Sequence, residues 1–190
     1  MTAAGYILSL RRHLRRFGSD RDGISAVEFA IVLPFMLTLY IGGAELGDGL
    51  SIDFKATEVA RTLTDLASQY VSIDPTTMTT ILGASSQVVA PYSSANMIVT
   101  LSEVAPTNAS GQGTITWSCS LNGTARTVGS TVTLPNKLQT PSGVSIIWGE
   151  VTYPYTPTMG YVITGTINIY QTSYFYPRLS NSVTLSSGCS

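Results

Sequence analysis

Few residues of this 190-residue chain are of types that do chemistry. His13 is the only histidine, Cys119 and Cys189 are the only cysteines, and beyond residue 70 the carboxylates are Asp74, Glu103 and Glu150. Two thiols are too few for a zinc site of their own, so no metal and no other cofactor is expected. A Ser-His-Asp or Cys-His relay would have to recruit His13, which lies among Arg11, Arg12, Arg15 and Arg16. The three late carboxylates are widely spaced, which ranks an anchored hydrolase last; the chain is read as not an enzyme. What stands out instead is Glu28, a single charge within an apolar run, with the small residue Gly23 just before that run.

Composition says which elements must position these residues. Charged residues are 11% of the chain and mean hydropathy is +0.23, against about 25% charged for ordinary soluble domains. Such a chain is membrane-attached or unusually poor in surface charge. Five of the ten basic residues fall within the first 23 positions; after residue 23 five basic residues face nine acidic ones. No basic groove for phosphates can be built from that balance, so nucleic acid is excluded as a partner.

Residues 24–44, ISAVEFAIVLPFMLTLYIGGA, carry Glu28 as their only charge and Pro34 as their only strong helix breaker. At about 1.5 Å per residue the run crosses a hydrocarbon core of roughly 30 Å. Arginines precede it, while Glu45, Asp48 and Asp53 follow before Lys55. The positive-inside bias then predicts a single pass through the inner membrane with the N-terminus cytoplasmic and the C-terminal body periplasmic. A secretory signal ending near Gly42-Gly43-Ala44 is the competing reading. Against it stand an apolar stretch longer than the usual 7 to 15 residues and the carboxylate near its start. Glu28 within hydrocarbon costs something like 2.5 to 3.5 kcal/mol, so it calls for a partner; the plainer alternative is an interfacial carboxylate reaching water or Arg21.

Gly23-Ile24-Ser25-Ala26-Val27-Glu28-Phe29, followed by an apolar run with Leu33-Pro34, resembles the processing and assembly segment of type IV pilins. The closest form is the TadE-like minor pilin, or pseudopilin, of the tight-adherence (Tad/Flp) pilus. Tyr153-Pro154-Tyr155-Thr156-Pro157 and Tyr176-Pro177-Arg178-Leu179-Ser180 are also similar to the C-terminal pattern of TadE-like proteins, whereas residues from about 84 to 145 carry little that is diagnostic. The resemblance implies that a prepilin peptidase cuts after Gly23, that Ile24 becomes the new N-terminus, and that Glu28 becomes the fifth mature residue. A free ammonium on Ile24 of one subunit and the Glu28 carboxylate of its neighbour would then satisfy each other in low dielectric and set the register of helix packing. The major Flp subunit fits poorly, being little more than the helix. TadG-like proteins resemble the apolar segment but usually lack a glutamate there and have a far larger body.

Four segments follow: a cytoplasmic basic leader (1–23), a transmembrane helix (24–44), an amphipathic continuation of that helix (45–70) and an extracytoplasmic α+β head (71–190). The continuation shows Leu46, Leu50, Phe54, Val59, Leu63, Leu66 and Tyr70 at helical spacing, interleaved with charge. Gly42, Gly43, Gly47 and Gly49 weaken its middle by about 1 kcal/mol each relative to alanine. They predict a kink or melted turn, or else a small-residue packing face.

Asp74-Pro75 reads as an N-cap with proline in the first turn, opening a short helix to about Leu82 or Val89. Segments 97–104, 113–120, 144–153 and 161–175 are β-branched or aromatic and partly alternating, which predicts four or five antiparallel strands. Ile146, Ile163, Ile167, Ile169, Trp117 and Trp148 are the expected core. The fold class is therefore α+β, a long N-terminal helix packed on an antiparallel sheet head, as in pilins. Asn108 and Asn122 begin glycosylation-type triplets but sit in turn-like sequence and are read as turns.

In an oxidising compartment Cys119 and Cys189 are expected to pair and tether the tail, two free thiols being the alternative. Tyr153, Tyr155, Tyr161, Tyr170, Tyr174 and Tyr176 crowd near the end; they read either as a contact surface or as strand packing with hydroxyls at the rim. The functional expectation is a minor pilin that takes part in assembly or initiation of a tight-adherence pilus and in surface attachment. Its implied partners are the prepilin peptidase, other pilins or pseudopilins, the pilus assembly platform and inner-membrane lipid. The alternative is an unprocessed single-pass envelope protein with an extracytoplasmic binding domain.

Overall fold

The computed structural model describes residues 21–106, 108, 111–135, 138, 143–157, 160 and 164–189. In chain order the elements are α1 (Arg21–Ser68), β1 (Ser72–Ile73), α2 (Pro75–Gly83), α3 (Ser85–Val88), β2 (Ile98–Val104), β3 (Gln112–Leu121), β4 (Thr131–Thr133), β5 (Ile146–Tyr155), β6 (Ile167–Phe175) and β7 (Thr184–Leu185). The arrangement is α+β, a long apolar N-terminal helix followed by an antiparallel sheet. Residues 1–20, including His13, and also Tyr161 and Ile163, lie outside the described residues.

Two compact units divide the chain, one of residues 1–46 with 158–164 and one of residues 47–157 with 165–190. In the first, every described residue from Ile24 to Tyr40 is exposed. This segment is part of a helix long and apolar enough to cross a membrane, with a mean hydropathy of 2.0 over its best window, and it fits a single-pass membrane protein. Pro34 sits inside the helix without breaking it. It has no N–H to give, and the Pro34 carbonyl accepts the hydroxyl of Thr38 at 2.8 Å. The glycines at 42, 43, 47 and 49 do not melt a turn either: α1 stays helical through all four.

In the second unit β2, β3, β4, β5 and β6 form one sheet in the order β4-β3-β2-β5-β6, and β1 pairs in parallel with β7. Within this unit α1 buries Ile52, Ala56, Val59, Ala60, Leu63 and Ala67, one stripe at helical spacing. The expected stripe was partly different. Val59 and Leu63 are buried as anticipated, but Leu46, Leu50 and Phe54 are 56%, 52% and 71% exposed. The reason is close approach: α1 lies so near the sheet that a Cβ at Gly149 would collide with Thr64 Oγ1 and lie 3.1 Å from the Ala60 carbonyl oxygen. The small Ala60 sits at that closest approach, and Val59 and Leu63 are buried beside it in sequence.

The main core joins this stripe to Met78, Ile81 and Leu82 of α2 and to Val99, Leu101, Trp117, Cys119, Ile147 and Val151 of the sheet. Asp74 caps α2, accepting from Thr77 N at 2.9 Å and Thr77 Oγ1 at 2.8 Å, with Pro75 in the first turn as expected. A smaller cluster contains Val104, Ile115, Leu134, Ile146 and Trp148. Trp117, Trp148 and Ile146 are thus core, Ile169 is half-buried against it, and Ile167 is 44% exposed at the start of edge strand β6. Asn122 turns the chain at φ 58° and donates to the Met97 carbonyl at 3.0 Å.

Register assigns the two faces of the sheet. The rows Cys119–Leu101–Gly149–Ser173 and Trp117–Glu103–Ile147–Phe175 face α1 and the C-terminal segment. The rows Ile98–Thr152–Tyr170 and Ser118–Ser102–Trp148–Tyr174, with Thr100 and Glu150 between them, face the other way.

Candidate functional site

At the N-terminal site, Gly23 is half-buried and Ile24 is 53% exposed, both within α1. Glu28 is exposed one turn further on. Ile24 and Glu28 share a helix face by their i, i+4 spacing, about 6 Å apart along the axis.

Cys119 and Cys189 form a disulfide, with Cα atoms 5.5 Å apart across 70 residues. Cys119 is fully buried on β3 and ties the C-terminal tail to the sheet. The tail is further held where Trp117 Nε1 donates to the Val183 carbonyl at 2.6 Å.

Glu103 and Glu150 are the polar centres whose roles sequence reasoning did not assign. Glu103 is 3% exposed. Its carboxylate accepts from Thr116 Oγ1 and Ser145 Oγ, each at 2.6 Å, and from Val183 N at 2.7 Å. Glu150, 8% exposed, meets the Arg126 guanidinium in two bonds of 2.6 Å and accepts the Tyr170 hydroxyl at 2.6 Å. The guanidinium lies 4.0 Å above the Trp148 ring, which stacks on Tyr174 at 5.8 Å. The pairing raises the pKa of Arg126 further; partial burial, with the bond to Glu150, raises that of Tyr170, so both stay protonated and donating. The available signal was position: each glutamate is the only charge of its β-branched segment, and a charge inside a strand pattern that is otherwise apolar implies a partnered, buried group.

The late carboxylates do not converge. Asp74 caps α2, while Glu103 and Glu150 lie on opposite faces of the sheet. The crowded tyrosines also divide: Tyr155 is buried with its ring 3.4 Å from a Cβ built at Gly49, Tyr153 and Tyr174 are half-buried, and Tyr170 and Tyr176 are 51% and 42% exposed. Gly49 is thus a packing position, whereas an added Cβ at Gly43 or Gly47 meets nothing within 4 Å.

No curated protein and no solved structure matches the chain. The family model of TadE-like proteins matches residues 23–63, a span that holds Gly23, Ile24 and Glu28 but not the Tyr153–Pro157 or Tyr176–Ser180 stretches. This N-terminal segment, from the candidate processing glycine into the helix that packs on the sheet, is similar to TadE-like proteins.

Proposed function

We propose that the chain is a pilin-like component of a Tad pilus system, a minor pilin cleaved by a prepilin peptidase after Gly23. The observation that carries this reading is Gly23 and Glu28 lying on the long apolar helix α1, within the segment that matches TadE-like proteins. In the proposed orientation the arginine-rich N-terminus is cytoplasmic, residues 24–44 cross the inner membrane, and the sheet-bearing unit lies in the periplasm or on the pilus.

Cleavage would free an ammonium on Ile24, and the Glu28 carboxylate of a neighbouring subunit would neutralise it when the apolar helices pack side by side. In hydrocarbon neither charge is tolerated alone, so only the register that pairs them is populated. The partners are other pilins or pseudopilins and the assembly platform, the outcome is pilus assembly or initiation and surface attachment, and no catalysis is assigned.

Intact mass and N-terminal sequencing of protein recovered from membranes that contain the peptidase test this reading. A chain beginning at Ile24 supports it. A chain beginning at Met1 or Thr2 overturns it and leaves an unprocessed, membrane-anchored envelope protein.

A further inference from the structure

The sheet face turned away from α1 carries a recess of about 270 Å³ above Glu150. Its walls include Ile98, Thr124, Arg126, Thr152 and Tyr170. We propose that this recess binds one neutral sugar unit of a glycan. The inference goes beyond the assembly role and does not depend on it.

Charge argues first. Arg126 and Glu150 neutralise each other through two parallel bonds, so an ionic ligand gains nothing unless it separates them. Separation would leave a nearly buried carboxylate without its cation, which is costly. The recess therefore discriminates against phosphate, carboxylate and ammonium groups.

Unspent hydrogen-bonding capacity argues second. A guanidinium has five N–H donors, and Glu150 takes two of those of Arg126. The Tyr170 hydroxyl donates to Glu150 and is also within hydrogen-bonding reach of Arg126, and a phenolic oxygen has a second lone pair to offer a ligand. Among the described residues the hydroxyls of Thr124 and Thr152 have no partner. A ligand with several adjacent hydroxyls uses all of these at once.

The apolar surface argues third. Ile98, Thr152 and Tyr170 form one cross-strand row, with Ile98 37% and Tyr170 51% exposed. An apolar side chain and an aromatic ring flanking a hydroxyl match a pyranose, which has C–H faces and a hydroxyl edge. The volume lies just below the roughly 300 Å³ at which ordinary ligand pockets begin, so it takes one ring rather than a longer segment. The site is also preorganised, because Arg126 is held over Trp148 and Trp148 against Tyr174, and little side-chain freedom remains to be lost on binding.

The test is ligand-detected saturation-transfer NMR on the full chain in a detergent without a sugar headgroup. The probes are chitotriose, maltotriose and lactose as neutral ligands, with sialyllactose and a heparin fragment as charged ones. Binding of at least one neutral probe at millimolar concentration is expected, about fivefold or more weaker in the Thr124→Val/Thr152→Val double variant, which leaves the Arg126–Glu150 pair intact. An unchanged melting temperature in that variant separates lost binding from lost folding. Three results would overturn the proposal: no binding of any neutral probe, equal binding by the double variant, or preference for the charged probes. None of them bears on cleavage after Gly23, so failure here is distinguishable from failure of the assembly reading.

Discussion

Glu103 Oε1 lies 2.7 Å from the backbone nitrogen of Val183, eighty residues further along the chain. The same carboxylate holds the hydroxyls of Ser145 and Thr116, so one buried side chain fastens the C-terminal segment, the approach to β5 and the neighbouring strand. Glu103→Ala strands the buried Val183 N–H, while the Thr116 and Ser145 hydroxyls keep the Glu103 and Asn181 carbonyls as acceptors. An unsatisfied buried group costs about 1–3 kcal/mol, and a loss of about that size is expected in urea unfolding. A loss below about 0.5 kcal/mol, the usual range of surface substitutions, would contradict this account.

The disulfide works on the same tail from its far end. Closing a loop of this length stabilises by about 4 kcal/mol in the chain-entropy view, and measured values are often lower. Cys189→Ser, or reduction of the wild type, should lower the melting temperature, and the reductant should have no further effect on the variant. A wild-type melting temperature indifferent to reductant would rule out this role.

Helix-to-sheet contact at Gly149 should be sharply selective. Gly149→Ala forces a methyl against Thr64 Oγ1 and the Ala60 carbonyl, and overpacking of this kind costs about 1–3 kcal/mol. Thr64→Ala removes one of the two obstacles and should restore part of that loss. A double-mutant cycle measures the coupling, and strict additivity would count against the close approach.

Alkaline stability follows from the tyrosines. Burial raises the pKa of Tyr170, Tyr174 and Tyr153 above the ordinary value of 10.0, with the Glu150 carboxylate adding to the effect at Tyr170. Above pH 10 the unfolded chain therefore loses protons that the folded chain still holds, so stability falls as pH rises from there and is unaffected by these groups below about pH 9. Tyr170→Phe should flatten the decline. Denaturant midpoints across pH 8–11 check this, and a decline that begins near neutrality would exclude the tyrosines as its cause.

Glu28 has a different kind of test. Glu28→Ala removes a charge that is costly in hydrocarbon, so membrane insertion should be undiminished or improved while pilus assembly is lost. Quantifying membrane-bound chain and pili in parallel decides the matter; normal assembly by the variant would break the proposed pairing with Ile24.

What local pattern and composition determine on their own is what depends on neighbours in the chain. The apolar run of residues 24–44, the continuation of the helix, the Asp74-Pro75 start of α2 and the strands around 98–104, 112–121 and 146–155 were all readable, because period, capping and β-branching act over a few residues. The similarity of residues 23–63 to TadE-like proteins was readable for the same reason, since Gly23 and Glu28 lie within one short segment. Thr131–Thr133 and the two-residue pair β1–β7 are too short to carry a period, and partners distant in sequence define them. Tertiary structure alone decided which face of α1 is buried. Helical spacing suggested Leu46, Leu50 and Phe54 together with Val59 and Leu63, but the buried stripe is Ile52, Ala56, Val59, Ala60, Leu63 and Ala67, with Ala60 and Thr64 at the closest approach to Gly149. It also decided that Glu103 and Glu150, 47 positions apart on paired strands, occupy opposite faces with separate partners. Alternation places a residue on one side or the other, but strand register determines what it meets there.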